Sequence, residues 1–391
     1  MSTAVASTPA PLPKPIRLGF IGFSPNSGWG GQTHGSALLD PEVREHYKLV
    51  AVGTSNPTSA AASATHFTKV FKTPVQGFSD AKTLAEWDEV DLVAVSVKCP
   101  LHYDVLKKVI EAGKPFFIEW PFGRNAKETE ELVNLAKEKG VQGWVGLQGR
   151  QSPLFRKVGK AIKEGKIGKV HNVNVLHRIP LEQQTWVQFT PESHRYHTKR
   201  ENGATSITIF NGHFIDTILE TLGDTFSKVS ARGEKHFPTT TLIDDYGRPI
   251  ETLPTYLPDH FTINGVLKKS GAWVTITVTH GLPSHSSRSS QRYTIDVDGE
   301  EGTVRVEGGP SYPSFGDPHT VLLNGQNVTL GLGEGRRYTS VVDFLKQGWL
   351  EFAKGKEGGG YFADLETALV HRKAIGAIED SLAEDGRWIE L

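Results

Sequence analysis

Between residues 16 and 146, short unbroken apolar runs alternate with segments whose apolar positions recur every three or four residues. Ile16–Gly22, Tyr47–Val52, Asp91–Val97, Pro115–Ile118 and Val141–Gly146 have the length and composition of strands buried on both faces. Helical stretches fall between them. One runs through Ala37-Leu38-Leu39, and another is alanine-rich from Thr58 to Phe67. A third places Val105, Leu106, Val109 and Ile110 on one face. In a fourth, Asn125 is an N-cap with Glu128 three residues on, ahead of Leu132, Val133 and Ala136. Strands and helices in strict alternation predict an α/β unit with a doubly wound parallel sheet.

Beyond residue 150 the period changes. A helix over about Leu154–Glu164 leads into a strand at Lys169–Leu176, and a second helix spans about Asn211–Leu222. Alternating positions follow at Phe261/Ile263, Val274/Ile276/Val278, Tyr293/Ile295/Val297 and Val304/Val306. Turn signals at Lys269-Ser270-Gly271, Asp298-Gly299 and Asn324-Gly325 join them. This predicts an α+β unit with a large, mostly antiparallel sheet that has helices on one face and an open second face. A last helix starts near Ala363. The expected division is a leader at 1–15, a dinucleotide-type unit at 16–150 and a substrate and oligomerisation unit at 151–391.

The 391 residues suffice for two cores. Lys+Arg of 43 against Asp+Glu of 44 gives a net charge of −1, which argues against nucleic-acid binding as the main activity. The single cysteine, Cys99, excludes an internal disulfide and a multi-cysteine metal site, so no metal is expected. No run reaches the roughly 18 apolar residues of a membrane span, and the Pro/Ser/Thr/Ala-rich start lacks the apolar core of a secretion signal. A cytoplasmic protein is expected.

The first strand runs into Gly22-Phe23-Ser24-Pro25-Asn26-Ser27-Gly28-Trp29-Gly30-Gly31. Glycines where a strand meets a helix let backbone amides approach a pyrophosphate. Gly22, Ser24, Asn26, Gly28, Trp29, Gly30 and Gly31 are therefore candidate dinucleotide contacts. The second strand ends in Gly53-Thr54-Ser55-Asn56, without the acid that reads the ribose of NAD or the arginine that reads the phosphate of NADP. Ser55 becomes the candidate there. NAD and NADP both stay open, with a lean to NADP.

Several motifs then fall in one order: Gly31-Gln32-Thr33-His34, Leu101-His102, Phe117-Ile118-Glu119-Trp120-Pro121 and Gly212-His213-Phe214-Ile215-Asp216. From about residue 16 onward the chain resembles the Gfo/Idh/MocA oxidoreductases, and within them the branch of the repressor of the yeast galactose regulon. The resemblance implies an N-terminal Rossmann unit, NAD or NADP as cofactor, and a sugar, polyol or other hydroxy/oxo compound as substrate. It also implies Lys98, His102, Glu119 and Trp120 as cofactor neighbours. Two positions depart from the family pattern. Trp120 stands where the family carries lysine, and Ile209 where it carries aspartate, leaving His213 as the family-matched proton carrier.

Lys98 and Tyr196 are the expected helpers of His213. The segment from Leu176 to His197 is rich in histidine, arginine and aromatic residues. With Arg150, it supplies His177, Trp186, His194 and Tyr196 as candidate substrate contacts beside His213. Expected partners are a small-molecule substrate and further copies of the chain. An alternative reading is a regulator without catalysis that binds a dinucleotide and a transcription factor; a second is a non-redox isomerase or lyase on the same fold.

Overall fold

A computed structural model describes residues 14–25, 28–180, 188–282, 292–308, 315–318, 320–328 and 338–391. The N-terminal unit holds β1 (Ile16–Ile21), β2 (Tyr47–Gly53), β3 (Gln76–Phe78), β4 (Leu92–Val95), β5 (Phe116–Glu119) and β6 (Gly143–Gly146). They run parallel in the order β6-β5-β4-β1-β2-β3. Strand order reverses between β1 and β4, and the crevice at their C-terminal ends is where such sheets bind ligands. The three-residue β3 is too short to leave an apolar run in the sequence. A seventh, antiparallel strand comes from far down the chain, Ala363–Asp364 against β6.

The C-terminal unit is built on a nine-stranded sheet. It comprises β7 (Val170–Pro180), then β9 (Phe226–Glu234), β12 (His260–Leu267), β13 (Trp273–Leu282), β14 (Tyr293–Gly299), β15 (Thr303–Gly308), β16 (Thr320–Leu323) and β17 (Gln326–Asn327), with Ile389–Glu390 at one edge. The pairing is antiparallel except at its centre, where β7 and β13 run parallel. A separate three-stranded sheet is made of β8 (Phe189–Pro191), β10 (Thr239–Ile243) and β11 (Pro249–Pro254). At the β16–β17 hairpin Asn324 and Gly325 both adopt positive φ, 51° and 77°, as an Asn-Gly turn of this kind requires.

The helix-side face of the large sheet is apolar. Val173, Val175, Ile263, Val274, Ile276, Val278, Ile295 and Val297 pack there with the helix Gly212–Leu222. The other face carries Asn172, Asn174, Asn264, Thr275, Thr277, Asp296 and Arg305, with Leu176 and Trp273 exposed among them. It is open but mostly polar, so among the described residues the expected reason for self-association, exposed apolar area, rests on Leu176, Trp273 and the Trp388 ring packed on Trp273.

The helix Val341–Lys354 was not anticipated. It opens with a capping box, Ser340 and Asp343, and lays Leu345, Trp349 and Phe352 on the N-terminal sheet against Phe20 and Phe117. The chain after residue 340 therefore completes the first unit as well as the second. Among the described residues no helix is long and apolar enough to cross a membrane, and no cluster of metal-ligating side chains occurs.

Candidate functional site

The glycine loop is shaped from within. Gly22 has φ 85°, and a Cβ there would lie 2.2 Å from the Ser96 carbonyl oxygen. A Cβ on Gly30 would meet the Gly22 oxygen at 2.7 Å, and one on Gly31 the Ser24 oxygen at 1.8 Å. These three glycines allow the loop to fold on itself. Gly28 differs: φ is 92°, and among the described residues nothing lies within 4 Å of the place a Cβ would take. The loop thus presents open backbone at Gly28 and runs directly into the helical turns Gly30–Leu38, an arrangement that suits a pyrophosphate. Asn26 lies outside the described residues.

At the end of β2, Asn56 caps the helix Pro57–Phe71 and Thr54 bonds Ser59 at 2.7 Å. Ser55 is exposed, and its hydroxyl accepts from the Asn56 amide at 3.5 Å.

Glu119 ends β5 and is 8% exposed. Its Oε1 accepts from Trp29 Nε1 at 3.0 Å and lies in short contact with His34 Nε2. Trp349 Nε1 donates in turn to His34 Nδ1 at 3.1 Å. Trp29, expected as a cofactor contact, thus gives its polar group to Glu119. His34 and Trp349 were not among the expected site residues. The histidine stands in the Gly31-Gln32-Thr33-His34 motif, but nothing local marks the tryptophan as its partner.

Four expected contacts are corrected by their surroundings. His102 directs both ring nitrogens at backbone carbonyls, Pro121 at 2.7 Å and Val97 at 2.9 Å, and so ties the end of β5 to the end of β4. Trp120, expected at the cofactor, is buried; it donates to the Thr208 carbonyl at 2.7 Å and packs on His371 at 4.8 Å. Its indole lies so close to Gly212 that a Cβ there would come within 2.7 Å of Nε1. Arg150, expected at the substrate, is bidentate to Asp216 at 2.9 and 2.5 Å and also reaches Glu220 at 2.5 Å. His177 is 1% exposed, stacked on Phe214 at 4.1 Å and bonded to Asn211 at 2.9 Å, and burial pushes its pKa down to about 3. Indole, guanidinium and imidazole are built into the core here, where leaving their polar atoms unpaired would be costly.

The remaining candidates keep free chemistry. His213 is half-buried at the start of the helix Gly212–Leu222, and its Nδ1 is buried without a partner among the described residues. Burial pushes its pKa down to about 4, against the opposing pull of the Glu119 and Asp216 carboxylates. Lys98, just past β4, donates to the Ser193 carbonyl at 2.9 Å and lies 5.3 Å over the Tyr196 ring. Beside them His194 stacks on His197 at 5.0 Å, and burial with the nearby Lys98 charge lowers the His194 pKa. Burial raises the Tyr196 hydroxyl to about 12. Lys98, His194 and Tyr196 are therefore brought together. Trp186 lies outside the described residues. His280, which the sequence did not single out, has both ring nitrogens buried and without a partner among the described residues.

Comparison with known proteins follows this geometry. Residues 16–147 match the model of the oxidoreductase family with an NAD-binding Rossmann fold, and residues 153–308 match that of the C-terminal domain of Gal80p. The chain is 30% identical to the dehydrogenase AclE of Aspergillus oryzae over 379 residues, 96% of this chain and 98% of that one. It is 28% identical to the galactose/lactose metabolism regulatory protein Gal80 of Kluyveromyces lactis over 306 residues, 76% of this chain and 65% of the relative. The crystal structure of that species' Gal80p superposes with a TM-score of 0.79 at 23% identity, covering 96% of this chain and 91% of the other, a likeness of fold. With its Rossmann unit, its open-sheet second unit and a full-length relative at this identity, the chain belongs to the Gfo/Idh/MocA oxidoreductase family, near the Gal80 branch.

Proposed function

We propose that the protein is an NAD(P)-dependent oxidoreductase acting on a sugar-like, polyol or other hydroxy/oxo compound, with His213 moving the proton. One observation carries this reading: the unpartnered, buried Nδ1 of His213, kept while the lysine and aspartate positions of the family are occupied by Trp120 and Ile209. A polar atom left without a partner in the interior has a cost, and a substrate hydroxyl would remove it. The likeness to a dehydrogenase over nearly the whole chain supports the same reading.

The bound dinucleotide would supply the hydride acceptor or donor. Loop amides around Gly28 and the Ser55 hydroxyl would hold it, with NADP favoured because no carboxylate ends β2. His213, neutral at pH 7 because burial holds its pKa near 4, accepts the proton of a substrate hydroxyl and returns it in the reverse direction. Glu119 and Asp216 stabilise the imidazolium formed. Tyr196 stays protonated and offers a donor to the substrate oxygen, with Lys98 and His194 beside it. Holding the reacting atoms together accounts for much of such catalysis, so the absent lysine does not forbid it. Assembly into dimers or tetramers through the open face of the large sheet belongs to the same reading.

Trp120 favours a second reading. Where the family has an ammonium, an indole donates to the Thr208 carbonyl and neither gives nor takes a proton. A dinucleotide-responsive regulator that binds a transcription factor, like its Gal80 relatives a regulatory protein, needs no proton carrier. The deciding experiment is a screen of sugars, polyols and oxo compounds with NAD and NADP, oxidised and reduced, read by nicotinamide absorbance. Turnover that His213→Ala abolishes supports the enzyme; silence across the screen with intact dinucleotide binding supports the regulator.

A further inference from the structure

Glu119 Oε1 is the shared acceptor of two donors, Trp29 from the glycine loop and His34 from the helical turn that follows it. The direction of the second bond is fixed by a third residue. An indole N–H can only donate, so His34 Nδ1, 3.1 Å from Trp349 Nε1, must accept. The ring proton then sits on Nε2 and is given to Glu119. His34 and Trp349 are each 1% exposed and stand 315 residues apart in sequence, so the relay joins the helix Val341–Lys354 to the dinucleotide unit without solvent.

We propose that Trp349 and His34 are positioning residues for dinucleotide binding: they hold the Glu119 carboxylate as a latch on Trp29, and so hold the glycine loop in its binding conformation. This rests on the dinucleotide reading given above. Without the Trp349 N–H, Nδ1 becomes a buried acceptor with no donor, and nothing on that side fixes the plane of the imidazole. The ring can then turn, the Nε2–H bond to the carboxylate loosens, and the carboxylate moves off Trp29. Trp349 thereby acts on the loop through two intermediaries. His213 feels the Glu119 charge, so the same relay sets the field at the proton carrier.

Trp349→Phe is the direct perturbation: it removes the N–H together with part of the indole's bulk from the packing on Phe117 (5.1 Å) and Tyr47 (5.2 Å), so the state of the His34 ring, and not stability, is the readout. Nitrogen-15 NMR of the His34 ring in the full chain should show the Nε2–H tautomer in wild type, with the Nδ1 resonance shifted in the variant toward that of an acceptor without a donor. Calorimetric titration with NAD and NADP should show affinity about 2- to 10-fold weaker in Trp349→Phe and in Trp29→Phe, the range expected for one buried hydrogen bond. The double variant should lose less than the product of the two, since both act on one oxygen. An Nδ1–H tautomer in wild type overturns the relay without any variant. Wild-type binding with an unchanged Trp349→Phe, or losses that multiply independently, overturns the latch alone. Failure of wild type to bind either dinucleotide overturns the dinucleotide reading itself.

Discussion

Acid should unfold this protein earlier than its carboxylates require, because its interior holds histidines that burial keeps neutral. His213 and His280 are each pushed down to about 4 by desolvation, from an unfolded value of about 6.5. A lowered histidine binds fewer protons folded than unfolded, so stability is full above the unfolded value and is lost as pH falls toward the folded one. Between about pH 8 and pH 5 each group costs about 2 kcal/mol, or about 4 kcal/mol together. His177 and His197, pushed down to about 3, add in the same direction. The sum reaches the scale of a whole protein's stability, about 5–15 kcal/mol. Carboxylates held low, such as Asp224 under the amides of Ser270, Lys269 and Thr225, lose their contribution only as pH falls below about 4. The two effects therefore separate along the pH axis. Urea unfolding followed by tryptophan fluorescence should show the midpoint falling steadily from about pH 7 to pH 5. His280→Leu should remove about 2 kcal/mol of that fall, the share of one group. A midpoint flat across this window would refute the argument.

Other outcomes follow from the same geometry. His213→Ala should lower turnover by about 10²–10⁴-fold while dinucleotide affinity stays within a few-fold, measured by steady-state kinetics and titration. Gly28→Val, which strains the backbone at φ 92° but meets no other atom of the described residues, should weaken dinucleotide binding by distorting the loop locally, in a protein that still unfolds cooperatively. Gly31→Val should disturb the loop itself, because its Cβ would lie 1.8 Å from the Ser24 oxygen, and circular dichroism with thermal unfolding distinguishes the two. Arg150→Met should cost about 3–5 kcal/mol by leaving Asp216 buried without its cation, and leave dinucleotide affinity unchanged. Light scattering at micromolar concentration should give a multiple of 42.9 kDa; the monomer mass would remove the association through the open sheet face.

The parallel sheet was legible because its strands are buried on both faces and leave unbroken apolar runs, as at Leu92–Val95. The three-residue strand Gln76–Phe78 left no such run. The alternating segments revealed the large sheet, but alternation says nothing about which strands are neighbours. The parallel pairing of β7 with β13, residues 170–180 with 273–282, is invisible locally. The helix Val341–Lys354 had its own signals, Ser340 and Asp343 as a capping box ahead of Phe344, Leu345, Gly348, Trp349 and Phe352. Even read correctly, those positions would not have shown that the stripe packs on the other unit.

The site divides in a similar way. Backbone requirements were readable, since glycine at 22, 30 and 31 is demanded by contacts under 3 Å. Polar side chains were harder, because a histidine or arginine in a motif looks the same whether it faces ligand or core. His102 and Arg150 proved to be satisfied inside the protein and His177 is tied through Nδ1 to Asn211, while His213 Nδ1 has no partner among the described residues. What separates them is their partners, and those come from distant segments: Pro121 for His102, Asn211 for His177, Asp216 for Arg150. Trp120 makes the point most sharply. As a substitution it removes an ammonium; in place, its N–H on Thr208 and its ring on His371 help fix the start of the helix that carries His213. The loss of one proton carrier and the positioning of the other are thus the same residue's doing.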